Sequence, residues 1–271
     1  MLKVALSHDI DRVDKSYQYL TKSLAHLYRL EGNGLLNQVK SFCTKKPYWT
    51  FDQFIKIEEY YGIRSTVFFL NESIKFDLFS FKSYKLALGR YKINDPKIIQ
   101  IIRYLDENGW EIGVHGSYNS FKNSNLLSKE KLILEEIVGH PVIGVRQHYL
   151  NLDDTTWEIQ DRIGFKYDSS WGFTKDIGFK DNRYSPFRPF NNQFKVIPMT
   201  LMDSCFMAKP DKWIEFERLL DECEEKEAIM VINFHQHVFS KYDFPGYREA
   251  YIELITRALK RDAKFYKLSQ V

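Results

Sequence analysis

The chain has 271 residues, is 44% hydrophobic and carries a formal net charge of +3. That suffices for one sizeable buried core, and charges of both signs are interspersed rather than gathered into the basic patch a nucleic-acid partner requires. The three cysteines, Cys43, Cys205 and Cys223, form no Cys-x-x-Cys pair, which speaks against a disulfide framework and excludes a structural zinc knuckle. Polar residues appear by position 11, too early for the apolar stretch of a signal peptide, and no window approaches the ~20 apolar residues of a membrane span. The expectation is a cytoplasmic chain forming one domain over residues 1–271, without a transmembrane segment.

In chain order, Val4-Ala5-Leu6 reads as a buried strand ending at Ser7-His8-Asp9-Ile10-Asp11. Leu20, Leu24, Leu27 and Leu30 recur at helical spacing within 16–42, interrupted by Gly32 and Gly34, so 14–46 forms a helical insertion. Thr50 and Gln53 resemble a capping box opening a helix that stops at Gly62. Residues 64–70 are a strand with the apolar run of one covered on both faces, and 72–94 show no regular pattern. Pro96 opens a helix that Gly109 closes. A strand at 110–114 then leads into His115. A helix at 128–138 precedes a strand at 142–145 that runs into Arg146-Gln147-His148-Tyr149. After a helix at 155–162, Phe165-Lys166-Tyr167 leads to Asp168. Val196 to Met199 reads as a strand ending near Asp203, and 211–224 as a helix. Residues 229–234 form a strand ending at His235, 248–260 the last helix, and 264–268 a segment that closes the sheet.

Strands and helices alternate about seven times, the rhythm of βαβ units around a parallel sheet. Titratable residues fall repeatedly just after apolar strands, where α/β barrels keep their ligands and catalysts. Asp9 and Asp11, two apart in an extended segment, share one side. Two such close acids repel unless a cation or a division of labour separates them, although Asp pairs also occur in turns and caps. His115 alone reads more readily as a hydrogen-bonded structural histidine than as a ligand. His235-Gln236-His237 suits a metal pair, or one catalyst and a bystander.

Taken in order, these segments resemble the polysaccharide deacetylase family, the NodB-homology carbohydrate esterases. Ser7-His8-Asp9-Ile10-Asp11 is similar to its acidic first motif, in an Asp-x-Asp spelling. Glu111-Ile112-Gly113-Val114-His115 resembles the second, Arg146-Gln147-His148-Tyr149 the third, and Tyr167-Asp168-Ser169-Ser170-Trp171, loosely, the fourth. Val231-Ile232-Asn233-Phe234-His235 resembles the fifth. The resemblance implies a distorted (β/α) barrel of about seven parallel strands, of the deacetylase and glycoside-hydrolase type.

It also implies removal of an N-acetyl group from a sugar with a divalent metal, zinc by preference, held by Asp11 and His115. Asp9 would be the general base, Arg146 its charge partner and His235 the proton donor to the amine. The Tyr149 backbone N–H would bind the oxyanion. Asp168 would orient a histidine or contact substrate, and Trp171 would meet the sugar ring or the core. The second motif departs from the family pattern, because Asn119 stands where a second histidine is usual. His148 is the preferred third ligand, with Asn119, or no tightly held metal, as the alternatives. A cytoplasmic deacetylase would act on a lipid- or nucleotide-linked sugar of surface-polysaccharide assembly. An amidohydrolase of small nitrogenous compounds, or a glycan-binding homologue without metal, are the competing readings.

Overall fold

The computed structural model describes residues 1–271 apart from the side chain of Phe81. In chain order the elements are β1 (Lys3–Ile10), α1 (Gln18–Tyr28), α2 (Gly32–Phe42), α3 (Phe51–Tyr61), β2 (Thr66–Leu70), α4 (Phe81–Ala87), α5 (Pro96–Glu107) and β3 (Glu111–Gly116). There follow α6 (Ser124–Val138), β4 (Gly144–Gln147), α7 (Thr156–Ile163), β5 (Tyr167–Asp168), β6 (Lys195–Val196), β7 (Leu201–Met202), α8 (Asp203–Ala208), α9 (Lys212–Glu225), β8 (Ile229–Asn233), α10 (Tyr247–Leu259) and β9 (Lys264–Tyr266).

The strands pair in parallel in the order β6-β5-β4-β3-β2-β1-β8-β7. β1 is central. One side of it meets β8, and the other is shared by β9 over residues 3–5 and β2 over residues 7–10. The result is the expected α/β half-barrel, with more strands than the seven foreseen. The anticipated strand from Val196 to Met199 is instead divided. β6 joins β5 and β7 joins β8 at the two ends of the sheet path. Between them the chain crosses the open lip, with Ile197 N–H donating to Asp168 O (2.8 Å) and Thr200 N–H to Val231 O (2.9 Å).

Alternation along β1 sorts its side chains into two cores. Val4, Leu6 and Ile10 pack outward among the helices with Phe54, Ile102 and Leu254. Ala5 packs inward with Phe68, Tyr167, Val231 and Met199 inside the curl. Each fully buried side chain of the size of Val, Leu or Phe contributes about 1.5–3 kcal/mol. Inside the curl there is no room beside Phe68, and a Cβ on Gly113 would lie 2.5 Å from its ring.

Local signals hold in part. Asp95 caps α5 by accepting the Lys97 N–H at 2.8 Å, and Gly62 ends α3 with φ +67°. The capping box at Thr50 does not form. Its hydroxyl donates instead to Gln236 O at 2.6 Å, tying α3 to the segment after β8. The helical insertion is a hairpin of α1 and α2, and 72–94 contain a helix, α4, that the sequence pattern did not announce.

Candidate active site

Ser7 and Asp9 face into the curl from β1, and Asp11 follows at the strand's end. β3 delivers His115 and β4 delivers Arg146, with His148 just beyond. The Asp11 carboxylate and the imidazoles of His115 and His148 offer ligand atoms all within 4.8 Å of one another. His115 Nε2 lies 3.2 Å from Asp11 Oδ1, and His148 Nε2 lies 3.3 Å from Oδ2. Asn119 is exposed, whereas Asp11, His115 and His148 are buried.

The donor set suits a cation. His115 Nδ1 lies 2.9 Å from the Arg146 carbonyl oxygen. A carbonyl can only accept, so Nδ1 carries a proton and the ring points its Nε2 at Asp11 Oδ1. Asp11 Oδ1 is buried without a hydrogen-bond partner. Two acceptors facing each other at this distance repel unless a proton or a metal ion lies between them. Burial pushes the Asp11 carboxyl up, but His148 and His115 outweigh it and hold the group well below the ordinary carboxylate range.

Beside this cluster Arg146 is fully buried. Its Nη1 donates to Asp9 Oδ1 (3.0 Å), Asn233 Oδ1 (2.7 Å) and Ser7 Oγ (2.8 Å), and its other donors reach Ser169. Asn233 Nδ2 donates to Asp9 Oδ2 at 2.8 Å. Burial raises the Asp9 carboxyl, yet Arg146, His115 and His235 outweigh that and lower it below its usual value. Asp9 is therefore a fixed anion.

His235 follows β8. Asp203, at the start of α8, accepts both the His235 backbone N–H (2.6 Å) and Nδ1–H (2.9 Å). Desolvation would depress this histidine, but Asp203 with Asp11 and Asp9 raises it to about 10, so it is an imidazolium at neutral pH.

Three groups near the site had no assigned role in the sequence reading. Arg90 donates to the Asp11 carbonyl oxygen at 2.7 Å and lies 3.6 Å from its carboxylate. Glu72 stands behind His148, with Oε2 3.9 Å from Nδ1. Asn233 completes the Asp9 cradle. No periodic pattern marks residues 72 or 90, and Asn233 sits inside an otherwise apolar strand.

One expectation is corrected. Asp168 is fully buried and its oxygens are taken by Ser170 (2.6 and 2.8 Å), Gln160 (3.0 Å) and Trp157 (3.4 Å). Among the described residues its hydrogen-bond partners are Ser170, Gln160 and Trp157 rather than a histidine, and it braces Ser170, whose Oγ accepts the Gln147 N–H. Trp171 packs against Trp157 and Phe187, with Lys180 over its ring at 4.3 Å, and the core alternative describes its contacts.

Tyr149 lies half exposed beside His148, ring centroids 4.4 Å apart, with φ +61°. A non-glycine residue in that region costs of order 1–3 kcal/mol, and such strain clusters at functional sites. Tyr149 and Tyr118 line an open groove of about 610 Å³ with Lys82, Lys85, Asn151 and Lys175. No helix among the described residues is long and apolar enough to cross a membrane.

The fold is a curled parallel α/β barrel with an Asp/His/His cluster at its strand ends. Residues 95–248 match the family described as WbmS-like polysaccharide deacetylase, more than half of the chain, and the chain belongs to that family. Similar solved structures include proteins described as polysaccharide deacetylases. One, from Mycobacterium smegmatis, has a TM-score of 0.62 at 17% identity, over 99% of this chain and 88% of the other. Another, from Pseudomonas aeruginosa PAO1, has 0.62 at 14% identity, over 99% and 89%. A Puue allantoinase is also similar, with a TM-score of 0.57 at 16% identity over 99% and 88%. At these identities the likeness establishes the shared fold. No curated protein sequence matches the chain.

Proposed function

We propose that the protein is a metal-dependent hydrolase that removes the N-acetyl group from a sugar of surface-polysaccharide biosynthesis. The observation that carries this reading is the convergence of Asp11, His115 and His148, with Asp11 Oδ1 left bare toward a ring nitrogen. These three residues would hold a divalent ion, zinc in this proposal. Three protein ligands with an open position is the habit of catalytic zinc. When bound, such an ion polarises the acetamide carbonyl and acidifies water.

The chain's own groups supply the rest. Asp9, kept ionised and aimed by Arg146 and Asn233, takes the proton from the attacking water. The backbone N–H of Tyr149 donates to the developing oxyanion. His235, charged through Asp203, gives its proton to the departing amine, which cannot leave as an anion. The groove along Tyr118 and Tyr149 receives the sugar. Its openness and its lysines favour a glycan over the small nitrogenous compounds that a narrow closed pocket would suit.

Acetate release from N-acetylated sugars, assayed with protein stripped and reloaded with zinc, tests this reading. Chelation should abolish turnover. Asp9→Asn should lower the rate about 10²-fold or more by general-base magnitudes, with zinc content unchanged and circular dichroism confirming the fold. Full activity after chelation would remove the metal from the mechanism, and full activity in the variant would remove Asp9 as base.

A further inference from the structure

Most of the large hydrophobic side chains exposed to solvent fall in two segments, residues 20–42 and 76–79. Leu20, Leu24 and Leu27 on α1 and Leu36, Val39 and Phe42 on α2 are each more than half exposed. Phe76, Leu78 and Phe79, in the segment between β2 and α4, are exposed as well. The two segments leave the carboxyl ends of the adjacent strands β1 and β2. Both also reach the active site: Asp11 precedes the hairpin, and Glu72 and Arg90 flank Phe76 to Phe79 in sequence. The apolar surface therefore borders the face on which substrate enters.

The hairpin is amphipathic the wrong way round for a helix pair that packs on a core. Its buried residues are polar: Gln18 on α1, and Gln38 and Ser41 on α2. Lys15 Nζ donates to Gln38 Oε1 (2.7 Å), Ser41 Oγ (3.0 Å) and Asp243 Oδ1 (3.0 Å), seating the hairpin on a buried polar base. Among the described residues this apolar stripe stays more than half exposed, although the Phe42 ring meets Tyr19 edge-on at 5.5 Å, and patches of this kind mark interaction sites.

Charge selects the occupant. Residues 18–46 carry Lys22, Arg29, Lys40, Lys45 and Lys46 against one acid, Glu31, and Glu31 is already paired with His26 at 2.7 Å. Residues 72–92 add the exposed Lys75, Lys82, Lys85 and Lys92 against the exposed Asp77, while Arg90 and Glu72 are turned inward to Asp11 and His148. The whole chain is only +3, so the positive charge is concentrated around the apolar patch. A second copy related by a two-fold axis would set these cations against each other. An anionic bilayer surface satisfies both features, taking leucines and phenylalanines into the headgroup boundary and lysines onto its phosphates.

We propose that α1, α2 and the 74–79 segment dock this face on an anionic lipid surface without spanning it. The docking itself is independent of the hydrolase reading. Where it is joined to that reading, the substrate class becomes a lipid-linked sugar, presented from the membrane to the site.

Co-sedimentation of the full chain with vesicles of phosphatidylglycerol and phosphatidylcholine, and with phosphatidylcholine alone, tests the docking. The chain should pellet with the anionic vesicles, bind the neutral ones about tenfold more weakly, and release at high salt. Leu20→Ser/Leu24→Ser/Leu27→Ser changes only exposed positions and should weaken anionic binding about tenfold with its melting temperature unchanged. Absence of binding, equal binding to both vesicles, or full binding by the triple variant would overturn the proposal. So would a dimer, seen by light scattering, that the triple variant dissolves, since that assigns the face to a second copy. Acetate release from a soluble sugar needs no vesicle, so failure of the hydrolase reading and failure of docking are read separately.

Discussion

β1 carries a histidine–carboxylate cluster on each of its faces, and the two differ in how completely they are satisfied. On the outer face His8 donates or accepts at every polar atom: Nδ1 with Phe234 O (2.8 Å) and Nε2 with Glu58 Oε1 (2.7 Å) and Tyr251 Oη (3.1 Å). Glu58 Oε2 accepts the Trp110 Nε1–H (2.7 Å) and the Ser65 N–H (3.1 Å). On the inner face Asp11 Oδ1 and His148 Nδ1 have no partner. The same residue types thus build a closed network that fixes α3 and α10 to the sheet, and an open one with polar atoms left unpartnered. Titratable residues at a strand end are not a site until some of their valence is left over.

Removing the closed network should have the largest effect. Glu58→Ala strands three buried donors and the His8 ring, and breaking a buried polar network of this kind costs ~3–5 kcal/mol. For a chain of this size that is a fall of about 5–9 °C in melting temperature. Calorimetry should show it, while zinc affinity of the folded protein stays the same. Loss of zinc binding at full stability would mean that the two faces of β1 are coupled.

Glu130 is an intermediate case. It is as buried as Glu58, but only Oε2 accepts a bond, from the Ser117 N–H at 3.2 Å, and Oε1 is bare. Desolvation raises its carboxyl to about 7 from 4.5. The folded state thus keeps a proton that the unfolded chain releases, and stability falls as pH rises from about 4.5 through 7. The loss amounts to about 3 kcal/mol. Glu130→Gln should recover it at pH 8 and gain nothing at pH 4. Urea unfolding profiles of the two proteins that run parallel across this range would show that Glu130 finds a partner when ionised.

How much of this contrast was legible beforehand depended on local pattern. Asp9, Asp11, His115 and His235 stood out because each follows or ends an apolar run. Asp203 was noticed for the same reason, but its bond to His235 spans 32 positions and no spacing rule reaches that far. Glu72 and Arg90 lie in a stretch without periodicity, and the bonds that tie them to the site, from the Tyr118 N–H and to the Asp11 carbonyl, span 46 and 79 positions. His8 sits in the same motif as Asp9, and only strand alternation shows that it faces the helices. Leucine spacing foretold helices in 16–42 but not that the leucines face solvent, since periodicity defines a stripe and not what covers it. β5, β6 and β7 have two residues each, too few for any alternation to register.

The smallest effect expected is also the sharpest probe of the open cluster. Glu72 stands to His148 as Glu58 stands to His8, except that the gap is 3.9 Å rather than 2.7 Å. Glu72 is held in place by the N–H groups of Tyr118 (3.0 Å), Ser73 (3.0 Å) and Ile74 (3.1 Å), and although burial opposes it, these bonds and His148 keep the carboxyl below its usual value. If His148 gives Nε2 to a cation, its proton must sit on Nδ1, and the Glu72 anion is the group that favours this tautomer and makes the ring a better donor. Such supporting carboxylates are worth 10- to 100-fold in metal affinity, and the long gap points to the lower end. Glu72→Gln keeps the volume and removes the charge, so zinc affinity measured by competition with a chelating dye should fall about tenfold, or ~1.4 kcal/mol. An unchanged affinity would mean that His148 takes no part in holding the ion, leaving Asp11 and His115 as its only protein ligands in the cluster.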